Sequence, residues 1–173
     1  AYTFRAAGTS LSGQAVSDSV LIMLTENWNN YDILDKGKRI RLQSGVIGAD
    51  ANRYLLPFQK KIGPDPASID SSKIGGIAAN NASGMCCGTT ENSYQTLASM
   101  TVVLADGTVL NTADIISVQN FKKKHSKILN KLSDLAFQTQ QNQSLKQLIE
   151  HKYRLKNTMG FSINALVDFE EPI

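Results

Sequence analysis

The stretch 63–84 constrains this chain more than any other part of it. It opens Gly63-Pro64-Asp65-Pro66-Ala67-Ser68. The two prolines fix φ at nearby positions, so this part is a rigid extended turn and not a helix. Lys73-Ile74-Gly75-Gly76 follows. Adjacent glycines let the backbone come close to something flat or charged, because no Cβ stands in the way. The run 78–84 is made of small residues around Asn80 and Asn81 and ends at Gly84. Its two amides supply donors and acceptors at fixed places. Such a stretch has little bulk to bury. Two readings stand: a surface shaped to lie against a ligand, or a tight crossing of helix and strand, which also uses Gly and Ala.

A second small-residue segment lies near the start. A short strand at 2–5 leads into Ala6-Ala7-Gly8-Thr9-Ser10-Leu11-Ser12-Gly13. A loop of this kind can turn successive N–H groups inward as an anion nest, and the hydroxyls of Thr9, Ser10 or Ser12 can donate to a phosphate. Its spacing is neither that of a Walker loop nor G-x-G-x-x-G. The plain alternative is a flexible surface loop.

The other elements follow from apolar periodicity. The run 19–24 is continuous, apolar and of strand length, and predicts a buried strand. Trp28, Tyr31 and Ile33 sit in a polar stretch that ends in a turn at 36–38. A strand is expected from Ile40, weakening at Gly45, then a short helix over 49–56 with Asp50 as N-cap, stopped before Pro57. Residues 88–92 read as a turn. The clearest hairpin spans 101–110, with Asp106-Gly107 as a type I′ turn. From Ser117 onward the apolar spacing is helical, with Lys122, Lys123, Lys124 and Lys127 mostly on the far side. That charge run reads as a solvated face, not a nucleic-acid or membrane surface. Residues 138–143 read as a loop. Ser144 and Gln147 form a capping box for a second amphipathic helix, which fades near 156–157 into a turn at 158–161. A final helix or strand is expected over 163–169.

With 173 residues, the chain can form one domain, or two small lobes sharing a face. A content of 42% hydrophobic and 19% charged residues is that of an ordinary soluble globular protein, and a net charge of +3 gives no ground for nucleic acid as a partner. No apolar run approaches the ~20 residues needed to span a bilayer, so no transmembrane segment is expected. Cys86 and Cys87 are adjacent, which makes a strained disulfide, and no second cysteine pair offers a metal site. Free thiols point to a reducing compartment. The expected location is cytoplasmic, with a peripheral place at the inner membrane as the alternative. The chain opens on a strand already under way, without Met, and ends abruptly at Glu170-Glu171-Pro172-Ile173. It is therefore expected to be a piece of a longer protein.

Arg5-Ala6-Ala7-Gly8-Thr9-Ser10-Leu11-Ser12-Gly13, followed by Gly63-Pro64-Asp65-Pro66-Ala67-Ser68 and Ile74-Gly75-Gly76 through Gly84, resembles the FAD-binding domain of the p-cresol methylhydroxylase and vanillyl-alcohol oxidase superfamily. Within it the likeness is to the FAD-linked oxidase branch, which holds D-lactate dehydrogenase, glycolate oxidase and D-2-hydroxyglutarate dehydrogenase. The turn at 88–90 and the hairpin at 102–107 sit where that family has them. The helical insert at about 117–157, with the segment after it, resembles long bacterial members that add an iron–sulfur half outside the region seen here.

The resemblance implies an α+β fold, a two-lobed FAD-binding domain truncated at both ends, with a first lobe at 1–57 and a second at 58–173. It implies that Gly8, Thr9, Ser10, Leu11 and Gly13 wrap the FAD pyrophosphate with backbone N–H groups. Pro64, Asp65, Ser68, Gly75, Gly76, Asn80, Asn81 and Gly84 would lie along the ribityl chain and flavin ring. Some relatives tether FAD through a His in the first loop; this loop has none, so a noncovalent flavin is expected, held weakly or not at all by this chain alone. The implied activity is hydride transfer to FAD from a 2-hydroxy acid such as D-lactate, glycolate or D-2-hydroxyglutarate. The electron acceptor is left open. Family members keep the catalytic base in a later cap domain. His125 and His151 fall in basic, solvated helices, so no catalytic residue and no metal ligand is assigned here. Cys86 and Cys87 read as small buried residues. A nonflavin nucleotide- or phosphate-binding module is the alternative. A nucleic-acid-binding protein using the lysines at 122–127 ranks below both.

Overall fold

Residues 2–155, 157 and 162–171 are described in the structure, a computed structural model. They divide into two units, Ala1–Thr96 and Leu97–Ile173. Strands and helices both occur, as the expected α+β class requires.

In the first unit β1 (Tyr2–Arg5) pairs in parallel with β2 (Val20–Met23), Tyr2 opposite Val20 and Arg5 opposite Met23. The β2 strand falls where the apolar run predicts it, but it is not buried: Val20 is 51% and Met23 50% exposed. Among the described residues β1 is its only sheet partner, and a two-stranded sheet leaves its edges open. Then β3 (Tyr31–Leu34) pairs antiparallel with β4 (Arg39–Leu42). Sequence pattern alone missed β3, because Tyr31 and Asp32 hide the apolar pair Ile33 and Leu34. Its turn takes Asp35, Lys36 and Gly37 through positive φ, and Arg39 Nε holds Asp35 Oδ2 at 2.5 Å across it.

The helix α1 (Gly48–Leu55) starts earlier than expected, and Asp50 is not its cap. Asp50 lies in the first turn, against Arg53. The first N–H groups are satisfied instead by main chain: Gly48 donates to Ser72 O and Ala49 to Ile69 O, each at 3.0 Å. After α1, α2 (Ile74–Ala79) and α3 (Ser93–Thr96) are both short. The buried apolar residues of this unit are Val46, Ala51, Leu55, Ile77 and Cys87.

In the second unit β5 (Thr101–Val103) and β6 (Val109–Asn111) form the expected hairpin. Its turn is not type I′. Only Gly107 has positive φ (79°); Gly107 N–H donates to Leu104 O and Leu104 N–H to Thr108 O, both at 2.9 Å. That is a type I turn closed by a glycine bulge, which leaves Asp106 right-handed and frees its carboxylate to accept from Thr108 N–H at 2.9 Å.

Then come α4 (Ile115–Lys124), α5 (Ser126–Gln141), α6 (Gln143–Tyr153) and α7 (Ala165–Asp168). The loop expected over 138–143 is mostly helix: the Thr139 side chain is buried and its hydroxyl bonds back to Leu135 O at 2.7 Å. The cap of α6 is Asn142, whose Oδ1 accepts from Leu145 N–H at 3.1 Å, in place of the predicted Ser144 box. The turn expected at 158–161 lies outside the described residues. Leu110, Phe121 and Leu129 form the core here, with Leu104 and Val118 packed on it. Among the described residues no helix is long and apolar enough to cross a membrane.

Candidate functional site

The loop after β1 is held from within and left open outside. Gly8 (φ 69°) and Gly13 (φ 75°) are both left-handed. The Arg5 guanidinium props the loop from beneath Gly8, 2.6 Å from where a Cβ would stand, and the left-handed φ there favours glycine. Arg5 Nη1 also reaches Ala15 O at 3.5 Å. Ser10 Oγ donates to Gln14 Oε1 and accepts from Ser12 N–H. Thr9, Leu11 and Gly13 are exposed. The expected anion nest is thus an open turn with its hydroxyls partly committed to the loop itself.

The second stretch is organised by Asp65. Its Oδ1 accepts from Gly84 N–H at 2.9 Å and Cys87 N–H at 3.1 Å, and its Oδ2 from Cys86 N–H at 3.0 Å. The Cys87 thiol, then these main-chain N–H groups, hold the Asp65 carboxyl far below the usual carboxylate range, against the opposing effect of partial desolvation. Gly84 is buried hard against Asp65, and a side chain there would collide with Asp65 main chain. Asp65 and Gly84 therefore form a clasp that folds the 64–66 turn onto the 84–87 segment. Cys87 is buried in it, while Cys86 is exposed, contrary to the expectation that both are buried.

Other residues of the stretch divide between scaffold and surface. Pro64 is buried, and Ser68 O accepts from Ser71 and Ser72 N–H at 2.9 and 2.7 Å. Gly75 lies inside α2, not in an extended strap; its N–H donates to Ser44 O at 2.9 Å, and a Cβ would stand 2.8 Å from Ser44 Cβ. Gly75 therefore serves the close crossing of a helix on the segment after β4. Asn81 is left-handed (φ 44°) and its Oδ1 accepts from Tyr94 N–H at 2.9 Å, whereas Asn80 is exposed at the end of α2.

Gly76 is the point where the two segments meet. A Cβ built on it would lie 4.0 Å from Ala6 Cβ, with nothing closer. Beside this approach is an open cavity walled by Arg5, Ala6, Leu24, Thr25, Gly45 and Lys73, with Glu26 and Asp50 also on its lining. It lies just past the carboxyl ends of the parallel strands β1 and β2, where ligands of parallel sheets bind. None of the residues expected to touch a cofactor lines this cavity; Gly8 packs on Arg5 and Gly76 approaches Ala6, both of which do. Sequence reasoning missed Arg5 as a prop and Lys73 as a wall; the available signal was a basic residue flanking each small-residue run.

His125 is not solvated. It sits at the junction of α4 and α5, stacked on Phe121 with ring centroids 4.5 Å apart, its Nε2 3.1 Å from Thr108 Oγ1. His151 is exposed on α6. The lysines of α4 are partly paired: Lys122 holds Glu171 at 2.6 Å and Lys124 holds Asp106 at 3.4 Å.

The sequence profile of the FAD binding domain family matches residues 1–113, and the chain belongs to that family. It is 36% identical over 85 residues to glycolate oxidase subunit GlcD of Escherichia coli strain K12, covering 48% of this chain and 17% of that protein. To mitochondrial D-lactate dehydrogenase (cytochrome) 1 of Saccharomyces cerevisiae it is 33% identical over 110 residues, 61% of this chain and 18% of the relative. To D-2-hydroxyglutarate dehydrogenase of Escherichia coli strain K12 it is 26% identical over 112 residues, 64% of this chain and 11% of the relative. These are the relatives to which the motifs at 5–13 and 63–84 pointed. The chain spans less than a fifth of the length of each. No solved structure matches it.

Proposed function

We propose that this chain is the FAD-binding part of a longer oxidoreductase that oxidises a 2-hydroxy acid such as D-lactate, glycolate or D-2-hydroxyglutarate. The observation that carries this reading is the approach of Ala6 to Gly76, where two distant small-residue segments meet beside a cavity walled by Arg5, Ala6 and Lys73. The residues suit the cofactor. The 8–13 loop presents bare backbone and short hydroxyls to an anionic pyrophosphate, and Arg5 and Lys73 offset Glu26 and Asp50 beside it. Gly8, Thr9, Ser10, Leu11 and Gly13 would hold the phosphates. Pro64, Asp65, Ser68, Gly75, Gly76, Asn80, Asn81 and Gly84 would shape and support the flavin side, Asp65 and Gly84 through their clasp. Two lobes, 1–57 and 58–173, would flank the cofactor. When bound, FAD supplies a hydride acceptor for oxidation of the hydroxyl-bearing carbon.

The chain's own residues bind and orient. None is assigned as the proton acceptor, and any iron–sulfur cluster lies outside this chain. FAD is held without a covalent bond, since the loop at 8–13 has no His. The test is the absorption spectrum of the complete protein that carries this chain, before and after anaerobic addition of D-lactate, glycolate and D-2-hydroxyglutarate. The expected result is a flavin spectrum that acid releases as free FAD and that one of the acids bleaches. A colourless protein that binds ATP would replace this reading with a nonflavin nucleotide-binding module.

A further inference from the structure

We propose that Lys73 is a phosphate-binding residue of the groove, a side-chain cation added to the backbone donors of the 8–13 loop. The inference rests on the FAD reading above and deepens it. Four charged side chains line the cavity: Arg5, Lys73, Glu26 and Asp50. Two of them are committed elsewhere. Arg5 is packed beneath Gly8 and turned toward Ala15 O, and Asp50 lies against Arg53, outside the lining.

Lys73 is different. Its Nζ donates to the main-chain O of Leu24, just past the end of β2. Among the described residues it meets no carboxylate within ion-pair distance. An ammonium carries three donors, and Leu24 O takes one, so two remain for a ligand or water. The side chain is half-buried and fixed at its root: Lys73 pairs with Ile47 across an isolated bridge, and the next residue, Ile74, donates to Val46 O at 2.8 Å. It is thus a held cation without a carboxylate partner, in a cavity also lined by Ala6, the entry to the 8–13 loop. Lysine serves phosphate as a point charge, with no need of a planar match. Two cations and two carboxylates line the cavity, so removing Lys73 would leave it net negative and repel a pyrophosphate.

The experiment titrates the apo form of the complete protein with FAD and with riboflavin, following flavin fluorescence, for wild type, Lys73→Gln and Lys73→Arg. Lys73→Gln is expected to weaken FAD roughly tenfold, the effect of one lost charge-assisted contact. Riboflavin, which has no phosphate, is expected to bind both alike. Lys73→Arg is expected to restore most of the FAD affinity. The FAD affinity of Lys73→Gln should also fall less steeply with salt. Equal FAD binding by Lys73→Gln and wild type would overturn the inference and leave the FAD reading intact. An equal loss for riboflavin would also overturn it, reducing Lys73 to a structural tie to Leu24. If wild type binds neither flavin, both readings fall together.

Discussion

The two units are held together by different physics. In the second, Leu110 of the hairpin, Phe121 of α4 and Leu129 of α5 pack into one apolar cluster, with Leu104 and Val118 against it. In the first, few large side chains are buried, and order comes from main chain on main chain: Ser44 O with Gly75, Val46 O with Ile74, Ser72 O with Gly48, and Asp65 with three N–H groups along 84–87. A hydrophobic core tolerates any surface over it. A backbone-held scaffold keeps the protein chain bare and close to the surface, which is what a ligand with a flat ring and phosphates requires.

The comparison can be broken most forcefully at Phe121. Phe121→Ala removes the centre of the second unit's core and the ring beneath His125, and should cost about 3–5 kcal/mol by chemical denaturation. Amide exchange should show that loss at 97–155 and leave 44–87 unchanged. Gly84→Ala should do the reverse. Its Cβ meets Asp65 main chain, which cannot yield, so a loss of about 3 kcal/mol is expected in the first unit. Exchange that rises uniformly in both units for either variant would mean that they do not differ as argued.

Asp65 sharpens the contrast through pH. Its folded-state carboxyl lies far below the usual value of about 4, so its stabilisation is complete above that value and is lost as pH falls below it. Asp65→Asn should weaken the first unit at neutral pH by about 2 kcal/mol, the scale of a hydrogen bond to a charged group, and flatten its acid sensitivity. Its counterpart in the second unit is Asp106. The Thr108 hydroxyl and N–H, then Lys124, lower its carboxyl to about 2. Asp106 is exposed, so its effect should be the smallest of the set and should fade with added salt. Thermal midpoints of Asp65→Asn and Asp106→Asn between pH 2 and 7, at low and high salt, would measure this.

The second unit was also the more legible in sequence. Its hairpin and amphipathic helices announce themselves by period and by Asp106-Gly107. The errors there were local: a type I turn with a bulge in place of type I′, and Asn142 in place of Ser144 as cap, because two neighbouring residues can each supply the capping oxygen. In the first unit, 5–13 and 63–84 were visible as motifs, and through them the family, but not their structure. Gly75 and Gly76 sit in a helix, and Gly75 serves a close crossing on Ser44: that was one of the two readings the small residues allowed, but nothing local named Ser44 as the partner. Asp65 reads as a turn residue and proves to be the clasp, since its partners lie some twenty positions on. The cap of α1 is main chain from 69–72, and a carbonyl from a distant loop leaves no trace in residue type.

The central claim is that 6–13 and 73–84 form one cofactor groove. The most direct test is amide hydrogen exchange of the complete apoprotein with and without FAD. The account predicts that FAD slows exchange in both segments together and with the same concentration dependence. Protection of one segment alone, or of neither while FAD is bound, would contradict it.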